Sequence, residues 1–340
     1  MLAVIEGTWQ APAELVVLDA ASGRGPGRGE RWRTDLGASL REVCELPVGE
    51  RFTVPHDGGD VHAWLVRPAG FEEGRSYPVL VNIHGGPFAQ YTDAFFDEFA
   101  VQAGAGYAVV ACNPRGSSGR GAAWGRAISA SLRDDEDGDD KDGGDAAGGD
   151  AAGSPGWGDV DAADVLAVVD AALARWPWLD AARVGVLGGS YGGYLTSWLA
   201  ARTDRFAAAC SERAVNNLLT MTHTSDIGWW FNTGYMGVGQ EDPMALLERS
   251  PVTYADDITA PMLLLHSEAD LRCPIEQAED LFTRLRRRHH DVELVRFPAE
   301  SHGLSRGGAP RHRVQRFEIQ LEFFARHLHP AGAAAGATPG

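Results

Sequence analysis

Across 340 residues there is nowhere a run of about 18 apolar residues, the length a membrane-spanning helix needs. The first ten residues, MLAVIEGTWQ, lack the basic n-region and the long apolar h-region of an export signal. Neither a membrane span nor export is therefore expected. Cysteine is scarce: the four residues Cys44, Cys112, Cys210 and Cys273 are scattered, with no C-x-x-C pair and no histidine at metal-ligand spacing. That pattern suggests neither a disulfide framework nor a zinc site, and it fits a reducing, cytoplasmic compartment. Positive charge is short as well, with 30 Lys and Arg against 47 Asp and Glu and a formal net charge of −17. No basic stripe interleaved with aromatics occurs, which argues against nucleic acid and anionic membranes as partners. The basic cluster RLRRRHH at 284–290 ends a helical pattern, where cations offset the helix dipole. No metal or dinucleotide pattern is found, so no cofactor is expected.

What is present reads as one large α/β unit. The segments PVLVNI (78–83), YAVVAC (107–112), RVGVLG (183–188), AAACS (207–211), PMLLLH (261–266) and VELVRF (292–297) are short apolar runs of the kind found in strands buried on both faces. Amphipathic stretches at 91–104, 159–174, 191–203, 275–289 and 311–328 lie between or after them. Buried strand and helix in alternation predict a doubly wound, mostly parallel sheet. Two earlier segments, AELVVL (13–18) and VHAWLVR (61–67), read as further short strands. Residues 133–155, almost wholly Asp, Gly and Ala, are too polar to offset the entropy of ordering and read as a disordered surface insertion. Their Asp spacing fits no calcium-loop register. The tail from 330 to 340 reads as disordered too.

The sequence GVLGGSYGGYLTSW (185–198) sets five glycines around Ser190 between an apolar run and a helical pattern. Gly188 to Gly192 fit G-x-S-x-G, the nucleophile elbow, in which a strained serine stands above the sheet and the flanking positions must lack Cβ atoms. A plain strand-to-helix turn is the bland alternative. A serine nucleophile needs a base and an orienting acid, which in α/β hydrolases follow it in the order acid, then His. Asp270 stands just past the strand at 261–266, and His302 stands in the loop after the strand at 292–297. Both fall at the carboxyl edge of the sheet, where open α/β folds bind ligands. Glu268 and Glu300 remain alternative acids. His266, inside a strand, and His289, His290, His312, His327 and His329, on or beside helices, read as core or surface residues. For the oxyanion, His84-Gly85-Gly86-Pro87 ends a buried strand with bare backbone, and the N–H groups of Gly86 and Tyr191 are the expected donors.

Taken together, these parts resemble the prolyl oligopeptidase family of serine peptidases, in its acylaminoacyl-peptidase-like branch. The resemblance runs from about residue 45 to 328. It rests on HGGPFAQY (84–91), GYAVVACNPRGSSGRG (106–121), GWGDVDAADV (156–165), GGSYGGY (188–194), SDIGWW (225–230), PMLLLHSEADLRCP (261–274) and FPAESHGLS (297–305). It implies an α/β-hydrolase fold over 46–329 and a triad of Ser190, Asp270 and His302. It also implies that Arg272, two residues after the acid, lies near the substrate, where its planar fork would hold a carbonyl or carboxylate; a surface loop arginine is the alternative. Arg115 reads as a loop-stabilising residue.

Family members carry a long β-propeller before the hydrolase domain, whereas here about 45 residues precede it and read as the remnant of one blade. A truncated product, a fragment with a misplaced start and a propeller-less hydrolase all fit. The expected activity is hydrolysis of short or N-acylated peptides through an acyl-enzyme. A carboxylesterase acting on small acyl esters would use the same triad. A silent fragment that associates through unpaired strand edges is the non-enzymatic reading, and self-association is left open.

Overall fold

The computed structural model describes residues 1–19, 29–129, 156–238 and 241–328. The expected insertion at 133–155 and the tail at 330–340 lie outside the described residues.

The chain starts with a small antiparallel sheet of β1 (Leu2–Thr8), β2 (Ala11–Leu18) and β3 (Glu30–Arg33). A short helix, α1 (Ala38–Val43), leads to the hairpin β4 (Gly49–His56) and β5 (Gly59–Val66). Then come β6 (Tyr77–Ile83), α2 (Asp97–Gly104), β7 (Ala108–Asn113), α3 (Ala122–Arg126), α4 (Val160–Arg175), β8 (Leu179–Gly189), α5 (Tyr191–Ala200) and β9 (Ala208–Glu212). Between β9 and the next strand the chain forms α6 (Leu218–Thr224), α7 (Gly228–Met236), α8 (Pro243–Glu248) and a 3-10 turn at Pro251–Asp257. It closes with β10 (Met262–Ser267), α9 (Glu276–Arg287), β11 (Val292–Phe297), α10 (Leu304–Gly307) and α11 (Pro310–Leu328).

The main sheet has eight strands in the order β11-β10-β9-β8-β6-β7-β5-β4. From β7 to β11 all pairings are parallel, and only β4 and β5 run against their neighbours. This is the α/β-hydrolase fold, mostly parallel, with a small separate antiparallel sheet at the N-terminus.

Alternation along each strand divides the core between two faces. Val79, Val81 and Ile83 of β6, Val184 and Val186 of β8 and Met262 and Leu264 of β10 pack with α4, α5 and α9. Leu80, Leu187, Leu263 and Leu265 instead pack with Phe323, Phe324 and Leu328 of α11. With both faces covered, a polar residue in these strands loses its solvent, which is why the runs are mostly apolar and why the buried Asn82 of β6 is hydrogen-bonded, its Oδ1 accepting from the Tyr91 hydroxyl at 2.6 Å. Each such side chain contributes about 1.5–3 kcal/mol when fully buried. The small sheet docks on the main body through Trp9, whose ring lies 6.3 Å from that of Phe99 on α2.

Candidate active site

The centre of the site is the junction of β8 and α5. Ser190 sits there with φ 62° and ψ −122°, in a region that side chains with a Cβ rarely occupy. The turn is held by Ser190 N–H, which donates to Glu212 O at 2.9 Å, and by Tyr194 N–H, which donates to Ser190 O at 2.9 Å. The glycines around it answer a packing demand. A Cβ on Gly192 would overlap Ile83 O and stand 2.8 Å from His84 O, so the first turn of α5 is pressed directly onto the end of β6.

Asp270 follows β10 and is 2% exposed. Its Oδ1 accepts from the backbone N–H groups of Arg272 and Cys273, both at 2.9 Å. Its Oδ2 lies 2.7 Å from His302 Nδ1, and His302 Nε2 lies 3.1 Å from Ser190 Oγ. Oriented in this way, Nδ1 carries the proton toward Asp270 and Nε2 is free to accept one from the serine.

The other candidates are engaged elsewhere. Glu268 pairs with Arg296 at 2.9 Å, and Glu300 accepts from His312 Nδ1 at 2.7 Å and Ala309 N–H at 3.0 Å. His266 is buried, with Nε2 donating to Cys273 O at 2.7 Å. Arg115 N–H and Nε both donate to Asp164 Oδ2 at 2.9 Å, and its Nη1 reaches Asp57 O at 2.6 Å, so it ties three segments of chain together.

A cavity of about 510 Å³ opens beside Ser190, lined in part by Gly85, Gly86, Tyr191 and His302. Gly86 has φ 131°, and a Cβ there would lie 2.8 Å from Phe88 N, so the loop after β6 admits only glycine at this point. Tyr191 is the first residue of α5, where backbone N–H groups have no partner within the helix. His84 is buried, with Nε2 3.0 Å from Ser117 Oγ and Nδ1 2.7 Å from Gly85 O. Burial pushes its pKa down to about 4; it is a neutral brace for the loop. Arg272 also lines the cavity, and its Nε and Nη2 donate to Asp226 at 2.6 and 3.2 Å. The stretch 225–230 and the loop after β10 are thereby joined at the rim.

Several residues of the site were not singled out by sequence reasoning. Asp161, within 156–165, accepts the Tyr191 hydroxyl at 2.6 Å, and burial raises its pKa to about 6. Trp157 and Arg213 line the cavity as well. The signal for Asp161 was a carboxylate on the first turn of a predicted helix, a position with an ordinary dipole explanation. Among the described residues no three His, Cys, Asp or Glu side chains gather as a metal site, and no helix is long and apolar enough to cross a membrane.

A serine on a positive-φ strand-to-helix turn, with His and Asp from later strand ends, defines the α/β-hydrolase class. More narrowly, the chain belongs to the Prolyl oligopeptidase family, whose sequence profile matches residues 93–147 and 140–331. It is 42% identical over 273 residues to the uncharacterized peptidase YuxL of Bacillus subtilis, a match covering 80% of this chain and 38% of that protein. It is 29% identical over 279 residues to the acylamino-acid-releasing enzyme of Sus scrofa, covering 80% of this chain and 34% of the other. Among solved structures, the acylaminoacyl peptidase of Pyrococcus horikoshii superposes with TM-score 0.83 at 29% identity, over 98% of this chain and 48% of its own. An acylaminoacyl peptidase in complex with Z-Gly-Gly-Phe-chloromethyl ketone gives TM-score 0.83 at 30% identity, over 98% of this chain and 49% of its own. The chain thus spans little more than a third of these two curated relatives and about half of these solved chains.

Proposed function

We propose that the chain is a serine peptidase that cleaves short or N-acylated peptides through an acyl-enzyme. The observation that carries this reading is His302, placed between Asp270 Oδ2 at 2.7 Å and Ser190 Oγ at 3.1 Å. Ser190 Oγ attacks the scissile carbonyl while its proton passes to His302 Nε2. Asp270 holds the imidazole in the required tautomer and stabilises its charged form. Negative charge on the carbonyl oxygen is met by the N–H groups of Gly86 and Tyr191, each donor of this type being worth about 10²–10³ in rate. The intermediate then collapses, the C–N bond breaks, and His302 returns the proton to the leaving amine. Water repeats the sequence to release the acyl group.

The substrate class rests on the likeness to acylaminoacyl peptidases and on the apolar lining by Trp157, Val215, Met221, Ile227 and Phe231, which suits an apolar side chain on the acyl side. Arg272 borders this region as a candidate substrate-binding residue. We assign the catalytic unit to residues 46–329, preceded by a β-strand segment over 1–45, and place the protein in a reducing cytoplasm, in keeping with its free cysteines.

Labelling with a fluorophosphonate probe, compared between the wild type and Ser190→Ala, tests the nucleophile. Turnover of acetyl-alanine p-nitroanilide tests the peptidase assignment; turnover of p-nitrophenyl esters alone, with no peptide or anilide cleaved, would make it an esterase.

A further inference from the structure

The cavity at Ser190 has a second, charged lining that the mechanism does not use. Arg213, Arg306, Arg316, Glu98 and Asp97 all border it. Arg316 already serves two carboxylates, Glu98 at 2.7 Å and Glu212 at 2.6 Å. Asp97 faces Arg313 at 3.6 Å. Arg213 shares Glu212 through Nη1 at 3.2 Å. It is only 8% exposed, and its Nε has no hydrogen-bond partner among the described residues. Arg306 is solvent-exposed and makes no ion pair among the described residues. Two carboxylates, Glu98 and Glu212, therefore stand against three guanidinium groups. One buried guanidinium, Arg213, and one solvent-exposed guanidinium, Arg306, thus face the same cavity with positive charge that a bound carboxylate would complete.

Position decides which anion. A Cβ on Gly189 would overlap the Arg213 guanidinium, so that group lies against the residue before the nucleophile. Arg306 follows His302 on α10, and His302 faces the leaving amine when it returns the proton. The carboxylate carbon of an amino acid lies two bonds, about 2.5 Å, from its amine nitrogen, and each further residue carries it up to ~3.5 Å away.

We propose that Arg213 and Arg306 form a subsite for the free α-carboxylate of a leaving group one residue long, so that the chain releases single C-terminal amino acids from short peptides. This rests on the peptidase reading above. Arginine suits the task because its fork pairs with both carboxylate oxygens.

The test separates binding from turnover. Acetyl-Ala-Ala and its C-terminal amide are titrated calorimetrically into the Ser190→Ala protein. The free acid is expected to bind at least about tenfold more tightly, a gap typical of a charge-assisted contact. Adding Arg306→Gln should bring the two affinities to within about twofold, and Arg213→Lys, which keeps the charge, should retain part of the preference. Melting temperatures check that each variant is folded. Equal affinities in the Ser190→Ala protein, no detectable binding of the acid, or a preference untouched by Arg306→Gln would each overturn the subsite. Acetyl-alanine p-nitroanilide, which has no carboxylate, reports on the peptidase reading separately in the wild type.

Discussion

Tyr191 follows Ser190 directly as the first residue of α5, the position proposed above for an oxyanion donor, and its hydroxyl reaches Asp161 Oδ2 at 2.6 Å. Asp161 is in turn held by Gly158 N–H at 2.9 Å. The first residue of α5 is thereby tied to the first turn of α4, and the peptide plane that presents the N–H is fixed from its side-chain end.

Tyr191→Phe should separate these roles. The backbone donor is kept, so kcat of the folded enzyme is expected to stay within a few fold. Stability should fall, because Asp161 loses a partner while buried. Its pKa of about 6 in the folded state lies above the ordinary carboxylate value, so the folded protein holds this proton more tightly than the unfolded chain. The stability associated with that proton is present at acid pH and lost as pH rises toward 6. Without the tyrosine hydroxyl the ionised form is less favoured still. The deficit of the variant should therefore grow from pH 5 to pH 8, to about 1–3 kcal/mol, in denaturant unfolding at both pH values.

Ser190→Ala should lower turnover by several orders of magnitude and abolish fluorophosphonate labelling, as for loss of a nucleophile. The melting temperature should not fall. Ser190 holds a positive φ, but Ala has the same Cβ, so the backbone cost does not change.

Gly192→Ala tests the close approach of α5 to β6. The added methyl overlaps Ile83 O, and neither backbone can yield without shifting the Gly85–Gly86 loop. Overpacking of this kind costs about 1–3 kcal/mol. Unfolding should show that loss, and kcat should fall even in the fraction that remains folded.

Glu212→Gln addresses the charged cluster. Burial alone would raise the Glu212 pKa, but Arg316 and then Arg213 outweigh it and hold the carboxyl below its usual range. A depressed folded pKa contributes stability that is present above the ordinary carboxylate range and lost as pH falls through the folded value. The amide variant should be destabilised at pH 7 and should lose less on acidification. Melting temperatures of the two proteins should converge below pH 4.

The strands of the parallel sheet were legible because burial favours short, mostly apolar runs: PVLVNI matches the fully buried β6 to within one residue, and VELVRF matches the edge strand β11, where Glu293 and Arg296 reach toward solvent. Helix α2 was overextended. A helix expected over 91–104 forms only from Asp97, because Tyr91 is bound across the sheet end, its N–H donating to Asn113 Oδ1 at 2.8 Å and its hydroxyl to Asn82 Oδ1 at 2.6 Å. The short helices α6 to α8 were missed, since six to nine residues give little periodicity. The strand-end positions of Asp270 and His302 were legible, with Glu268 and Glu300 left open as acids until the geometry placed Asp270 beside His302. Arg213 was not, because its place in the same cavity lining as Arg306 depends on how the end of β9 and α10 converge, which no local pattern encodes.

The sheet order has a consequence for how activity is lost. Ser190 and His302 are 112 residues apart in sequence, and His302 and Asp270 are 32 apart, each delivered by a different strand end. No contiguous supersecondary unit contains the site, so it exists only when β6, β8, β10 and β11 are in register together. On the proposed function, turnover would report on the whole sheet: denaturant or heat should extinguish it in step with the global transition, and cleavage between β8 and β10 that lets the two parts separate should leave neither piece active.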